Sequence, residues 1–267
     1  MTAPAPDAPG RVVPVNDLPG HGTVSSNLPT PSSALAIGAH PDDIEFGCGG
    51  TLAKWASAGT AIHHLVLTDG SKGTWDPGRH QASLIAERQE EQRKAAAVLR
   101  GGAGDGDVIF LSFVDGELHN AAPAQWEVAR CIRLLRPEVV LGHDPWRRYR
   151  LHPDHRHAGY ITTDSIVAAR DPHFFADQEL EPHRPHALLL WEADEPNHVE
   201  DVAGFEEVKI AALLAHCSQH ESTLGISAGD TSSQRAAFAR RIRAQLGEHA
   251  ALAGLSTAES FHLMTDI

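Results

Sequence analysis

The chain has 267 residues, 42% of them hydrophobic, with no unbroken apolar run near the roughly 18 residues that a membrane-spanning helix needs. Its 35 acidic residues against 22 basic ones leave a net charge of -13, which repels nucleic-acid phosphates and anionic membrane surfaces over the molecule as a whole. Three widely spaced cysteines, Cys48, Cys131 and Cys217, suggest neither a disulfide framework nor a thiolate zinc cluster, so a reducing compartment is expected.

Residues 1–33 hold seven of the 17 prolines and little periodic apolar pattern, which predicts an extended Pro-rich arm ahead of a single domain over 34–267. The arm lacks the basic start and apolar centre of a secretory signal, and a cytoplasmic location is the expectation. From Ala34 onward, short apolar runs alternate with helical stretches. Strands are predicted at Ala34–Ala39, Ile62–Thr68, Val108–Phe113, Glu138–Gly142 and Ala187–Glu192. Helices are predicted at Gly49–Ala58, Gln81–Leu99, Gln125–Arg136, Asp154–Arg170, around Phe205–Ala215, and at Gln234–Leu246. The Gln125–Arg136 segment is a clear case, because Val128, Cys131, Ile132 and Leu135 share one face. This alternation predicts an α/β protein with a Rossmann-like, mainly parallel sheet covered by helices on both faces.

Ligands of such sheets gather at loops leaving the carboxyl ends of strands. These loops read Ala39-His40-Pro41-Asp42-Asp43, Thr68-Asp69-Gly70-Ser71 and Gly142-His143-Asp144-Pro145, and a further polar segment follows as His152-Pro153-Asp154-His155. Two imidazoles and one carboxylate suit a catalytic zinc that keeps a position open for water. His40, Asp43 and His155 are the expected ligands, and Asp42 is left beside the metal as general base. His152 would stabilise the oxyanion, with Asp154 orienting it. Asp69 and Ser71 are expected to line the pocket, as is the segment from His143 to Arg150 with its aromatic and cationic side chains. Each residue has a plainer reading too, in that either aspartate would serve as a helix cap and the histidines as surface residues.

The run Ala39-His40-Pro41-Asp42-Asp43-Ile44-Glu45, the glycines Gly47, Gly49 and Gly50, and the later His152-Pro153-Asp154-His155-Arg156 resemble the LmbE-like, or PIG-L, N-acetylglucosaminyl deacetylases. Lys209 and His216-Cys217-Ser218-Gln219 extend the resemblance, which spans about residues 34–220. It implies a Rossmann-like fold, a catalytic zinc with Fe2+ or Co2+ as substitutes, and hydrolysis of an amide on a small amino-sugar substrate. By motif position it implies the same ligands, His40, Asp43 and His155, with Asp42 as base and His152 at the transition state. Arg88 resembles the family's helix arginine that reaches substrate hydroxyls or phosphate. Arg150 occupies a place where the mycothiol-precursor branch has tyrosine, with Tyr149 beside it as a candidate for that role. A homo-oligomer is left open, since trimers and hexamers occur among relatives.

Three other readings use the same residues. One is an amidase acting on larger conjugates, such as mycothiol S-conjugates or antibiotic glycosides. Another is an iron oxygenase built on the triad His40-x-Asp42 with His155. A third is a non-catalytic sugar-binding protein on this fold.

Overall fold

The computed structural model describes residues 24–102, 104–227 and 231–267. Eight strands form one sheet: β1 (Ser25–Ser26), β2 (Ser33–Gly38), β3 (Ala61–Thr68), β4 (Val108–Phe113), β5 (Val139–His143), β6 (Ala187–Trp191), β7 (His198–Asp201) and β8 (Ala258–Thr265). Among the described residues six α-helices accompany them: α1 (Asp43–Ser57), α2 (Gln81–Leu99), α3 (Ala122–Leu135), α4 (Pro153–Arg170), α5 (Glu206–Leu214) and α6 (Thr231–Ala250). Among the described residues no helix is long and apolar enough to cross a membrane.

Side chains alternate across a strand, and β2 shows the consequence. Leu35 and Ile37 enter a core with α3 and α4, whereas Ala34 and Ala36 enter a second core with α1, α2 and α5. Both faces of the central strands are therefore apolar and covered, as a parallel sheet requires. The sheet order is β1-β7-β8-β6-β5-β2-β3-β4, with β6 through β4 all parallel. Numbered by occurrence, those five strands run 3-2-1-4-5 in space, the Rossmann half-order, and the direction of winding reverses between β2 and β5. That switch point opens a crevice at the carboxyl ends of the two strands.

The predicted strands and the α/β class agree with this architecture, and three features depart from the expectations. Residues 1–23 of the expected arm lie outside the described residues, but pairing begins ahead of Ala34: Ser25 and Ser26 pair in parallel with His198 and Val199, and the Leu28 amide donates to Glu200. The last two strands, β7 and β8, are not predicted from their mixed sequences, and β8 pairs antiparallel to both β6 and β7. Helix α1 starts at Asp43 rather than Gly49, and is broken at Cys48, where φ is -148°.

The break frees backbone groups deep in the protein, and a buried ion pair takes them up. Glu259 of β8 accepts the Gly50 and Thr51 amides at 2.9 and 2.7 Å. Lys209 of α5 donates to the Phe46 carbonyl and to the same carboxylate. A carboxylate from another element thus caps the second half of α1. Val202 lies 3.0 Å from where a Cβ on Gly50 would stand, so the close approach depends on glycine.

Glu259→Leu strands the Lys209 charge and two buried amides, and is expected to cost about 3–5 kcal/mol in urea unfolding. Adding Lys209→Met should recover part of that loss, because the pair is directly coupled. A single-variant cost below about 1 kcal/mol would contradict this account of the kink.

Candidate active site

The loops after β2, β3, β4, β5 and β6 and the start of α4 meet over the switch point and enclose a cleft of about 350 Å³, the β3 loop contributing Lys72 and Gly73. Its wall carries His40, Asp42, Asp43, Arg88, Asp115, His143, His152 and His155. The β2 loop is the most constrained piece. Asp42 has φ 100° and ψ -26°, a left-handed conformation that a side chain rarely adopts and that must be held by its surroundings. Its amide donates to Gln92 Oε1 (3.0 Å), Arg88 donates to the Pro41 carbonyl (2.7 Å) and to the Gly70 carbonyl (2.9 Å), and Thr68 Oγ1 donates to the Ala39 carbonyl (2.8 Å).

This turn sends two neighbouring carboxylates to different partners. Asp43 turns inward: its Oδ2 accepts the His40 amide at 2.7 Å and lies 3.3 Å from His40 Nδ1 and 3.2 Å from His143 Nε2, while its Oδ1 lies 3.3 Å from His155 Nε2. Asp42 occupies the N-cap position of α1 but makes no side-chain capping bond, and its carboxylate lies 3.7 Å from Arg88. The capping reading of Asp42 is therefore not what the structure shows.

The imidazoles are ordered by one another and by acids behind them. His155 is stacked between His143 and His152, with centroid separations of 4.5 and 4.7 Å. His40 Nε2 lies 3.2 Å from both Asp115 and Asp154, which leaves Nδ1 facing Asp43 Oδ2. Three overlapping donor groups have their ligand atoms mutually within 4.8 Å: His40 with His152 and His155, Asp43 with His143 and His155, and His40 with Asp115 and Asp154. The expected ligands His40, Asp43 and His155 all occur in these groups, divided between the first two, which share His155. A cluster of imidazoles and carboxylates without thiolate, buried at His40, Asp43 and His143 and open at His152, fits a divalent cation.

Electrostatics separate the two aspartates. Burial pushes Asp42 up to about 6, with Arg88 opposing and the Asp43 charge assisting. Burial acts on Asp43 in the same direction, but His155 and His143 outweigh it and hold Asp43 well below the ordinary carboxylate range. His40 is raised well above the usual imidazole range despite its burial, through bonds to Asp115, Asp154 and Asp43. Burial keeps His152 lowered, with His40 and His155 adding to the effect.

Other expected residues are placed differently. Asp154 does not orient His152: its carboxylate accepts the Gly116 amide (2.6 Å) and the Leu118 amide (3.3 Å) and faces His40, because residues two apart at a helix start do not share a face. Arg88 lines the cleft, but its bonds go to the loop carbonyls rather than outward. Asp69 and Ser71 are outside the cleft wall; Asp69 accepts the Ser71 and Asp115 amides and so shapes the turn that presents Asp115. Tyr149 is 94% exposed and also off the wall, and Arg150 pairs with Glu192. His143 lies on the wall as its segment was expected to, though without a role assigned to it, and Asp115, in the loop after β4, is a site residue that the pattern of dense motifs passed over. The strand-end rule that singled out His40 would have found it.

Comparison with known proteins agrees with this geometry. The family described as PIG-L, GlcNAc-PI de-N-acetylase, matches residues 35–166. A diacetylchitobiose deacetylase of Thermococcus kodakarensis is 37% identical over 188 residues, 69% of each chain. A 4-oxalmesaconate hydratase of Pseudomonas putida is 27% identical over 72% of this chain and 76% of its own. Among solved structures, the N,N'-diacetylchitobiose deacetylase of Pyrococcus horikoshii, complexed with an inhibitor, superposes with a TM-score of 0.78 at 26% identity. It covers 88% of this chain and 84% of that one. The chain belongs to the PIG-L, or LmbE-like, family.

In the metal-free protein, carboxyl 13C NMR should show Asp42 titrating near 6 and Asp43 well below the ordinary carboxylate range, with Asp42→Asn assigning the first resonance. Arg88→Met should raise the Asp42 value further. Two aspartates titrating together near pH 4 would contradict the separation.

Proposed function

We propose that this protein removes the acetyl group from the amide nitrogen of an amino sugar such as an N-acetylglucosamine derivative, using zinc held by His40, Asp43 and His155. It is an amide hydrolase of the deacetylase class, in keeping with the family and with the diacetylchitobiose deacetylases it resembles. The observation that carries the reading is the division of labour in the β2 loop. Asp43 is committed to imidazoles, while Asp42 borders the cleft with no capping bond and a raised affinity for a proton.

His40, Asp43 and His155 would hold the zinc, which would supply Lewis acidity for polarising an amide carbonyl and for making water acidic near neutral pH. Asp42 takes the proton of the attacking water, and a carboxylate with a pKa near the working pH is well suited to do so. His152 lines the cleft with its imidazole lowered by partial desolvation, and it donates a hydrogen bond to the carbonyl oxygen as negative charge develops there. Proton balance then closes on Asp42, which returns its proton to the departing amine and leaves a carboxylic acid and a free amino sugar. Arg88 keeps Asp42 in place and its charge favours the ionised base.

The iron-oxygenase reading loses its support in the geometry. Its triad needs the Asp42 carboxylate among the imidazoles, and Asp43 is there instead.

Free-amine release from a panel of N-acetylglucosamine derivatives should be detected with the zinc-loaded protein, and Asp42→Asn should lower kcat/KM by at least ~100-fold with the unfolding midpoint retained. A protein that is silent on every acetamide but hydrates 4-oxalmesaconate would instead resemble the Pseudomonas putida hydratase in function.

A further inference from the structure

We propose that His143 is a positioning residue rather than a metal ligand, fixed by Trp191 as the tautomer that carries its proton on Nε2, so that it loads one oxygen of Asp43 and leaves the other for the metal. The proposal rests on the metal-dependent reading above and chooses between the overlapping donor groups that the geometry offers.

His143 ends β5 and is buried. Trp191, at the end of the adjacent β6, aims its indole N–H at His143 Nδ1 over 3.0 Å. An indole nitrogen can only donate, so Nδ1 must present its lone pair and a neutral ring must carry its hydrogen on Nε2. That hydrogen points at Asp43 Oδ2, 3.2 Å away. The opposite tautomer would set two N–H groups against each other at Nδ1 and turn an imidazole lone pair toward a carboxylate at Nε2. The Ala39 amide also approaches Nε2, at 3.4 Å, but a lone pair offered to it would face Asp43 as well. Coordination through Nε2 needs that disfavoured tautomer, which disqualifies the group of Asp43, His143 and His155 as a complete ligand set.

The consequence falls on Asp43. Its Oδ2 accepts from the His40 amide and from His143, whereas Oδ1 faces only His155 among the imidazoles. Oδ1 is thereby the oxygen left for a cation, beside His155 Nε2 and with His40 Nδ1 across the carboxylate. Hydrogen-bonded second partners of this kind hold ligands in orientation. The indole reaches its place because residue 47 is glycine: a Cβ there would come within 2.4 Å of the Trp191 ring. Gly47 of the β2-loop motif, Trp191, His143 and Asp43 form one line of support.

The test is long-range 15N–1H NMR of histidine-labelled protein, metal-free and zinc-loaded, with His143 assigned through His143→Gln. The Nε2–H tautomer is expected in both states. An Nδ1–H tautomer whose Nε2 resonance shifts on zinc addition would overturn the proposal. By chelator competition, Trp191→Phe should weaken zinc binding by ~10-fold or more, and so should His143→Leu, whereas His143→Gln, which keeps a donor toward Asp43, should stay within about threefold of the parent. Unchanged affinity in Trp191→Phe, or a His143→Gln variant that loses zinc as fully as Asp43→Asn, would also overturn it. The tautomer is measured without metal as well, so failure of the zinc reading would appear in the titration of the parent protein, apart from failure of this inference.

Discussion

The site depends on one strained residue. Asp42 adopts φ 100° between the end of β2 and the start of α1, a conformation costing of order 1–3 kcal/mol in a residue with a side chain. An ordinary turn would not separate the side chains of Asp42 and Asp43 in this way. The strain is sustained by its neighbours: Gln92 accepts the Asp42 amide, Arg88 donates to the Pro41 carbonyl, and the Asp43 carboxylate accepts the His40 amide. Behind them Gln92 also donates to Glu45, which faces His216, so the polar support extends well below the cleft floor.

The fold supplies what the loop cannot. The reversal of winding between β2 and β5 opens a crevice, and β4, β5 and α4 then bring Asp115, His143, His152 and His155 to the same place. The break in α1 lets the first turn lie against the β2 loop while its second half packs under β8, with Lys209 and Glu259 occupying the backbone groups that the break frees. Stability and function meet here: a buried ion pair some distance from the chemistry holds the helix whose first residue is an expected metal ligand.

The sequence foretells the central strands well, because β2, β5 and β6 are buried on both faces and read as nearly continuous apolar runs, and β3 as one interrupted by His63 and His64. It says little of β7 and β8, where buried Glu200 and Glu259 are neutralised by Lys54 and Lys209 from distant segments, an arrangement no local pattern reveals. The start of α1 is obscured by Gly47, Gly49 and Gly50, which weaken helix propensity yet are needed for close packing against Trp191, Lys209 and Val202. In the site, His40, Asp42, Asp43, His152 and His155 stand out because they are dense in sequence. His143 and Asp115 are single polar residues at strand ends, and their meaning comes from the strand order that brings them together. Asp154 misleads through proximity in sequence: it is two residues from His152 along the chain but supports His40 in space.

The central claim is that two neighbouring carboxylates of one chemical type are separated by conformation into a metal ligand and a base. The most direct measurement is the zinc content of Asp42→Asn and Asp43→Asn, each purified, stripped and reloaded beside the parent. The account predicts that Asp42→Asn retains about one zinc per chain while losing activity, and that Asp43→Asn loses the metal. Loss of zinc in Asp42→Asn with retention in Asp43→Asn would reverse the assignment, and equal loss in both would remove the separation on which it rests.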